Sequence, residues 1–206
     1  MIGESLIKIL IEPAQTGNLL TTIAIGDQYY QDWYEYALPN WKEYCLRHKL
    51  GLVVFDEDLV SQEDKFWKKA TWQKMLIGEA LSNRLPSVNN ICYLDTDILI
   101  NPYAPNIFDQ YEEERIGLVS LRKNLPFPYE DVLRRLAFLR NNYFEGNYPL
   151  DSALFISTDN LYRFHDLTPV DDEACMGLIV FNTKNHSILM KQWFEKYDKY
   201  FQPMFG

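Results

Sequence analysis

The sequence predicts an α/β fold, a mostly parallel central sheet with helices on both faces. Short apolar runs rich in β-branched residues recur at 20-LTTIAIGD-27, 52-LVVF-55, 91-ICYL-94, 116-IGLVSL-121, 153-ALFIS-157 and 176-MGLIVFN-182. Between them lie longer stretches whose apolar residues repeat every three or four positions, the period of a helix facing a core. A parallel neighbour is reached only by a long crossover, so this alternation implies parallel strands with helices packed on the sheet.

Taken in order, the first run ends at Gly26-Asp27, a strand closing into a tight loop. From Tyr29 to about Lys49, residues such as Tyr30, Trp33, Trp41, Tyr44 and Cys45 follow helical spacing, and Pro39 either starts a new helix or kinks this one. Gly51 closes the helix before the strand at 52–55. The segment 65-KFWKKATWQKMLIGEALSN-83 predicts another amphipathic helix, ended by Leu85-Pro86. After the strand at Ile91 come the turn residues 101-NPYAPN-106, a strand at 116–121 and a helix of mixed charge over 130-EDVLRRLAFLRNN-142. Strands at 153–157 and 176–182 and a closing helix from about His186 to Phe201 complete the pattern. No repeat, low-complexity run or Gly/Ser linker divides the chain, so one domain spanning 1–206 is expected.

A hydrophobic content of 47% supports one substantial core and excludes a disordered chain. The net charge of −9 opposes binding to phosphate backbones, where affinity rests on Lys and Arg displacing counterions, so no nucleic-acid partner is expected. Cys45, Cys92 and Cys175 lie far apart without Cys-x-x-Cys spacing and read as reduced thiols. No segment approaches the ~18 continuous apolar residues of a membrane span, and the N-terminus lacks the pattern of a secretory leader. The expectation is a cytoplasmic protein with no transmembrane segment.

Two carboxylates, Asp95 and Asp97, interrupt the apolar stretch 91-ICYLDTDILINPYAPNIF-108. An Asp-x-Asp alone means little, since about one is expected by chance in a chain of this size. A second copy stands at Asp56–Asp58, but it leads into the polar stretch 59-LVSQED-64 and reads as solvated. Asp97 is instead followed directly by Ile98-Leu99-Ile100. On a strand, side chains at i and i+2 share a face, so Asp95 and Asp97 converge; a proton or a cation would relieve their repulsion, and Mg²⁺ or Mn²⁺ suits carboxylate oxygens. The other reading is a strand end whose aspartates cap neighbouring loops. Lys74 falls at the edge of the apolar face of its helix, where it either meets an anion or lays its stem on apolar surface with its amine in water.

The order of a strand ending in Gly-Asp, a helix, a Trp-x-x-x-x-x-Lys helix, and then Tyr-Leu-Asp-x-Asp-Ile-Leu-Ile-x-Pro-x-x-Pro-x-x-Phe resembles nucleotide-sugar glycosyltransferases of the A-type fold. The match runs from about Leu20 to Phe108 and recurs more weakly at 175-CMGLIVFN-182. The resemblance implies a glycosyltransferase that moves a hexose from a UDP-like donor to a saccharide or other hydroxyl acceptor. It implies that Asp95 and Asp97 bind Mn²⁺ or Mg²⁺ and that Ile25, Gly26, Asp27 and Tyr30 lie near the base and ribose. It also places Lys74 near the donor phosphates or the aspartate pair. From the residues alone, Gly26-Asp27 is equally an ordinary strand-ending turn, and Tyr30 a core residue.

Departures accompany the resemblance. The Asn-x-Gly element that usually precedes a strand like 176–182 is replaced by Cys175 and Met176, with Gly177 retained. Upstream, Asp171, Asp172 and Glu173 are the acids best placed to orient a sugar or deprotonate an acceptor hydroxyl, or else form a solvated loop. His165 and His186 stand outside the context of the late metal-binding histidine of many relatives, so the expectation is either a catalytic domain lacking those C-terminal elements or a two-aspartate site completed by water and donor phosphates. A haloacid-dehalogenase-type phosphatase would carry its Asp-x-Asp near the N-terminus, and a nucleotidyltransferase would need a basic, glycine-rich loop where 26-GDQYYQD-32 has no basic residue. The alternative that stands is a nucleotide- or sugar-binding domain of the same fold without turnover.

Overall fold

A computed structural model describes residues 7–142, 158–164 and 166–196. Its strands are β1 (Ile7–Ile11), β2 (Asn18–Ile23), β3 (Gly51–Phe55), β4 (Asn90–Leu94), β5 (Gly117–Ser120) and β6 (Ala174–Asn182). They form one sheet in the order β1-β3-β2-β4-β6-β5. Alternate residues feed two cores, one on each face. Leu19, Val53, Ile91 and Phe181 pack with Ile77 and Leu81 of α4 (Ile77–Arg84) and with Met190 and Phe194 of α7 (Thr183–Lys196). Leu20, Leu52, Cys92 and Val180 pack on the other face with Trp33 and with Leu38, Trp41 and Cys45 of α2 (Leu38–His48). The α/β class with helices on both faces is therefore observed.

The sheet is mixed and not mostly parallel. β2 pairs parallel with β3 and β4, whereas β1 runs antiparallel to β3 and β6 antiparallel to β4. The expectation of parallel pairing assumed one crossover helix per step. The connection from Leu94 to Ala174 is long enough to bring β6 back from either end, so alternation of elements does not set its direction. β1 escapes periodicity because Lys8 and Ile9 are exposed on this edge strand.

Helix boundaries also shift. The segment from Asp27 begins as α1 (Asp27–Asp32), passes through a π-helical turn at Trp33–Ala37, and continues as α2, with Pro39 its second residue, directly after the π-helical turn. Lys49, not Gly51, takes the left-handed conformation that ends α2, with φ of 56°, and Gly51 opens β3. The expected helix over 65–83 starts only at α3 (Ala70–Gln73), and a 3₁₀ turn at Lys74–Leu76 separates it from α4. α5 (Tyr129–Asn142) matches its expected span. α6 (Thr158–Phe164) has no counterpart among the sequence expectations, and the strand expected at 153–157 lies outside the described residues.

The chain divides into two compact units. The first contains 7–117 and 177–196 of the described residues, with β1 to β4, most of β6, and both cores; the second contains the described residues from 118 to 176.

Candidate active site

β2 and β4 are parallel neighbours in register, Leu19 beside Ile91 and Thr21 beside Tyr93, so their carboxyl ends emerge together. Thr22 strengthens that junction by donating its hydroxyl to the Leu94 carbonyl at 2.7 Å. Carboxyl ends of adjacent parallel strands are where open α/β sheets bind ligands.

β4 stops at Leu94, so Asp95 and Asp97 occupy a turn, and strand alternation does not govern where they point. The Asp95 N–H is donated to the Gly177 carbonyl of β6 at 2.8 Å, and the Asp95 carbonyl accepts the Ile98 N–H at 3.2 Å. The apolar residues after Asp97 are explained by α2. Trp41 Nε1 donates to the Ile98 carbonyl at 2.8 Å, Asn40 exchanges two bonds with Ile100 at 2.8 and 2.9 Å, and the Tyr44 hydroxyl bridges the Pro105 carbonyl and the Ile107 N–H at 2.8 Å each. The turn is thus clamped on both sides, by β6 and by α2.

Asp95 accepts two hydrogen bonds on one oxygen. Tyr93 Oη donates to Oδ1 at 2.7 Å, and Lys74 Nζ reaches the same atom at 3.1 Å, lying 4.6 Å from the centre of the Tyr93 ring. The Lys74 side chain is only 3% exposed and that of Asp95 40%, so the amine does not sit in bulk water, and the carboxylate supplies its compensating charge. The 3₁₀ turn that begins at Lys74 breaks the helical register there. Burial pushes the Tyr93 phenol well above its ordinary range, Asp95 adds to the effect, and the hydroxyl stays a donor at ordinary pH. Asp97 is exposed.

Tyr93, Asp95 and Asp97 border a cleft of about 870 Å³, within the size range of small-molecule sites; Lys74 lies behind Asp95 and, like Gly26, is not among the lining residues. Ile23, Ile25, Tyr93, Asp95, Thr96 and Asp97 line it from the strand ends, and Tyr29, Asp32, Trp33 and Tyr36 from the helical stretch after β2. Asp58, Gln62, Trp67, Lys69, Ala70 and Thr71 also line it. Gly26 holds φ at 98°, a conformation open to glycine and strained for other residues, and its carbonyl accepts the Tyr30 N–H at 2.9 Å. Asp27, exposed, starts α1. Neither Asp27 nor Tyr30 is among the lining residues; Tyr30 stacks on Tyr34 and carries the Lys8 amine 4.4 Å from its ring centre.

Several cleft residues escaped the sequence reading. Tyr29, Asp32, Trp33 and Tyr36 share one helical face, and the i, i+3, i+4, i+7 spacing could have shown it. Asp58 is not simply solvated. Its Oδ1 accepts from Gln73 Nε2 at 2.6 Å, and its Oδ2 from Gln62 Nε2 at 2.8 Å and Trp67 Nε1 at 3.2 Å. Gln73 is fully buried and also accepts the Leu59 N–H at 2.6 Å. Asp56 pairs with Lys8.

Asp171, Asp172 and Glu173 lie in the second unit and engage partners there. Arg122 contacts Asp171 at 2.7 Å, the Ser120 hydroxyl donates to Asp172 at 2.7 Å, and the Tyr129 hydroxyl donates to Glu173 at 2.6 Å. The Ser120 bond holds the Asp172 carboxyl below its ordinary range. His186 is buried, and its Nδ1 accepts the Asn182 N–H at 3.2 Å at the start of α7; His165 lies outside the described residues.

Asp95 and Asp97 offer hard oxygen donors, the chemistry of Mg²⁺ and Mn²⁺. Among the described residues no three His, Cys, Asp or Glu side chains gather as a metal cage. An ion at this pair would take its remaining ligands from substrate oxygens and water, as Mg²⁺ commonly does.

No protein-family model matches the chain, and a search of curated proteins finds no match. Among solved structures, the chain is similar to a glycosyltransferase involved in the glycosylation of the major capsid of PBCV-1, with 12% identity and a TM-score of 0.38 over 87% of this chain and 67% of that one. A likeness this distant carries no residue from one chain to the other.

Proposed function

We propose that the chain is a metal-dependent glycosyltransferase that moves a hexose from a UDP-like nucleotide sugar to a hydroxyl acceptor. The observation that carries the reading is the pairing, in a cleft at the carboxyl ends of parallel strands, of two aspartates with a buried lysine against one of them. The sequence resemblance over Leu20–Phe108 points the same way. Asp95 and Asp97 would hold Mn²⁺ or Mg²⁺, whose charge offsets the negative charge that develops on the departing nucleoside diphosphate. Lys74 keeps a positive charge beside that position. Ile25 lines the cleft at the end of β2 and would face the nucleoside, with Gly26, Asp27 and Tyr30 following it in the chain. For Asp171, Asp172 and Glu173 the reading keeps an orienting role toward the sugar. Asp172, its charge already favoured by Ser120, is a poor proton acceptor.

The test is calorimetric titration of UDP into the protein with and without Mn²⁺, repeated on Asp97→Asn. Binding should need the metal and fall at least about tenfold in the variant; binding indifferent to both sinks the donor-site reading. A panel of UDP-sugars then separates an enzyme from a binding domain, since a pure binder liberates no UDP from any of them.

A further inference from the structure

Asp95 is fixed at its backbone and at one carboxylate oxygen, while the other oxygen has a different neighbour. Oδ1 receives both Tyr93 Oη at 2.7 Å and Lys74 Nζ at 3.1 Å. On the other side, a Cβ added at Gly177 would lie 3.1 Å from Oδ2, so the hydrogen at this position is what leaves room beside that atom. The two donors differ in their intrinsic flexibility. Tyr93 is 4% exposed, sits in β4 between Thr21 of β2 and Ile179 of β6, and cannot leave without opening the sheet. Lys74 is the longer and intrinsically more flexible side chain, buried with its amine over the Tyr93 ring.

From this convergence we infer that Tyr93 is a positioning residue, whose hydroxyl occupies Oδ1 of Asp95 and so presents Oδ2 as the oxygen that meets the cation; the inference rests on the metal-binding reading above. A carboxylate without such an anchor turns about its last bond and offers its oxygens in varied orientations. Tyr93 removes that freedom before the ligand arrives, which lowers the ordering cost of binding. Gly177 completes the arrangement by leaving Oδ2 uncrowded.

Two substitutions address the two oxygens separately. Tyr93→Phe keeps the ring beneath the Lys74 ammonium and deletes only the hydroxyl. Gly177→Ala leaves both Oδ1 donors and crowds Oδ2. Mn²⁺ binding is measured by loss of the free-ion electron paramagnetic resonance signal, with UDP present, on wild type and both variants, with Tyr129→Phe as a phenol-to-carboxylate control in the second unit. Expected is a fall in Mn²⁺ affinity of about tenfold in Tyr93→Phe and in Gly177→Ala. The bound-Mn²⁺ spectrum should broaden, near-UV circular dichroism should keep the wild-type form, and Tyr129→Phe should bind as wild type does.

If wild type binds Mn²⁺ with UDP while a folded Tyr93→Phe binds it equally well with an unchanged spectrum, the positioning role is wrong and the proposed function stands. If wild type itself shows no metal-dependent UDP binding, both fall. Should Tyr93→Phe fail to fold, Gly177→Ala decides the matter: wild-type affinity and spectrum there overturn the assignment of Oδ2.

Discussion

Gln73 and Lys74 are adjacent, polar and buried, and each ties a different wall of the cleft. The Gln73 amide is spent on Asp58, the Leu59 N–H and the Lys68 carbonyl, while Lys74 is spent on Asp95. Gln73→Leu strands the Leu59 N–H and unpins Asp58, and should cost about 2–4 kcal/mol in urea unfolding, because a buried group left unpaired pays its full desolvation. For the ion pair the two deletions should be unequal. Asp95→Ala takes the carboxylate from a buried ammonium and should cost about 2–4 kcal/mol, whereas Lys74→Met leaves a part-exposed carboxylate to water and Tyr93 and should cost under about 1 kcal/mol. Equal losses would show that the lysine is not held by Asp95. At this scale Lys74 was half legible: its place at the edge of the apolar face allowed either an anion partner or an amine in water, and the structure sets it against Asp95. Asp58 was not, because its partners Gln62, Trp67 and Gln73 stand 4, 9 and 15 residues away and hydrogen bonds have no period.

Among elements, α2 does more than cover the sheet. Asn40, Trp41, Tyr44 and Arg47 all bond the backbone between Ile98 and Ile107, so one helix face dictates the path of the chain leaving the aspartates. The sequence marked that segment by its apolar residues, but these fit a helix surface and do not continue the strand. The helix ends at Lys49 in a left-handed conformation at φ of 56°, so Lys49→Gly should stabilise the protein by about 0.5–1 kcal/mol, read as a raised thermal midpoint. Cys45, in the same helix, and Cys92, in β4, are buried, and burial pushes the Cys45 thiol up to about 12 and Cys92 up as well, whereas Cys175 is part-exposed. Alkylation at pH 8 should therefore modify Cys175 first, with the other two reacting only after unfolding; mass spectrometry of the labelled peptides gives the order.

For the molecule as a whole, the buried acids set an alkaline limit. Cys45, Cys92 and Tyr93 all have folded pKa values above their unfolded ones, chiefly through burial, and Tyr111 is pushed up to about 12. Above roughly pH 8.5 the unfolded thiols lose protons that the folded state retains, and above about pH 10 the unfolded tyrosines follow. Folding then binds more protons than unfolding, so stability falls as pH rises, and the urea midpoint should drop between pH 8 and 10. A flat midpoint would mean these groups are more solvated than their positions indicate. The α/β class and the helices on both faces were legible, because alternation and helical spacing report burial. Strand direction was not, because β1 is half-exposed and the connection into β6 is long, and neither feature leaves a local signature.

β4 lies between β2 and β6, and its ladder to β6 joins Asn90 to Asn182 and Leu94 to Leu178. During synthesis, β1 through β4 can assemble once Leu94 is available, yet the second edge of β4 has to wait for residues beyond 177. At about 5–20 residues per second that interval is on the order of 5–20 s. Throughout it, five residues that end fully buried, Asn90 to Leu94, present an open strand edge. Translation speed across the intervening codons thus becomes a variable of folding yield: slowing it should raise aggregation in cells without altering the mature protein.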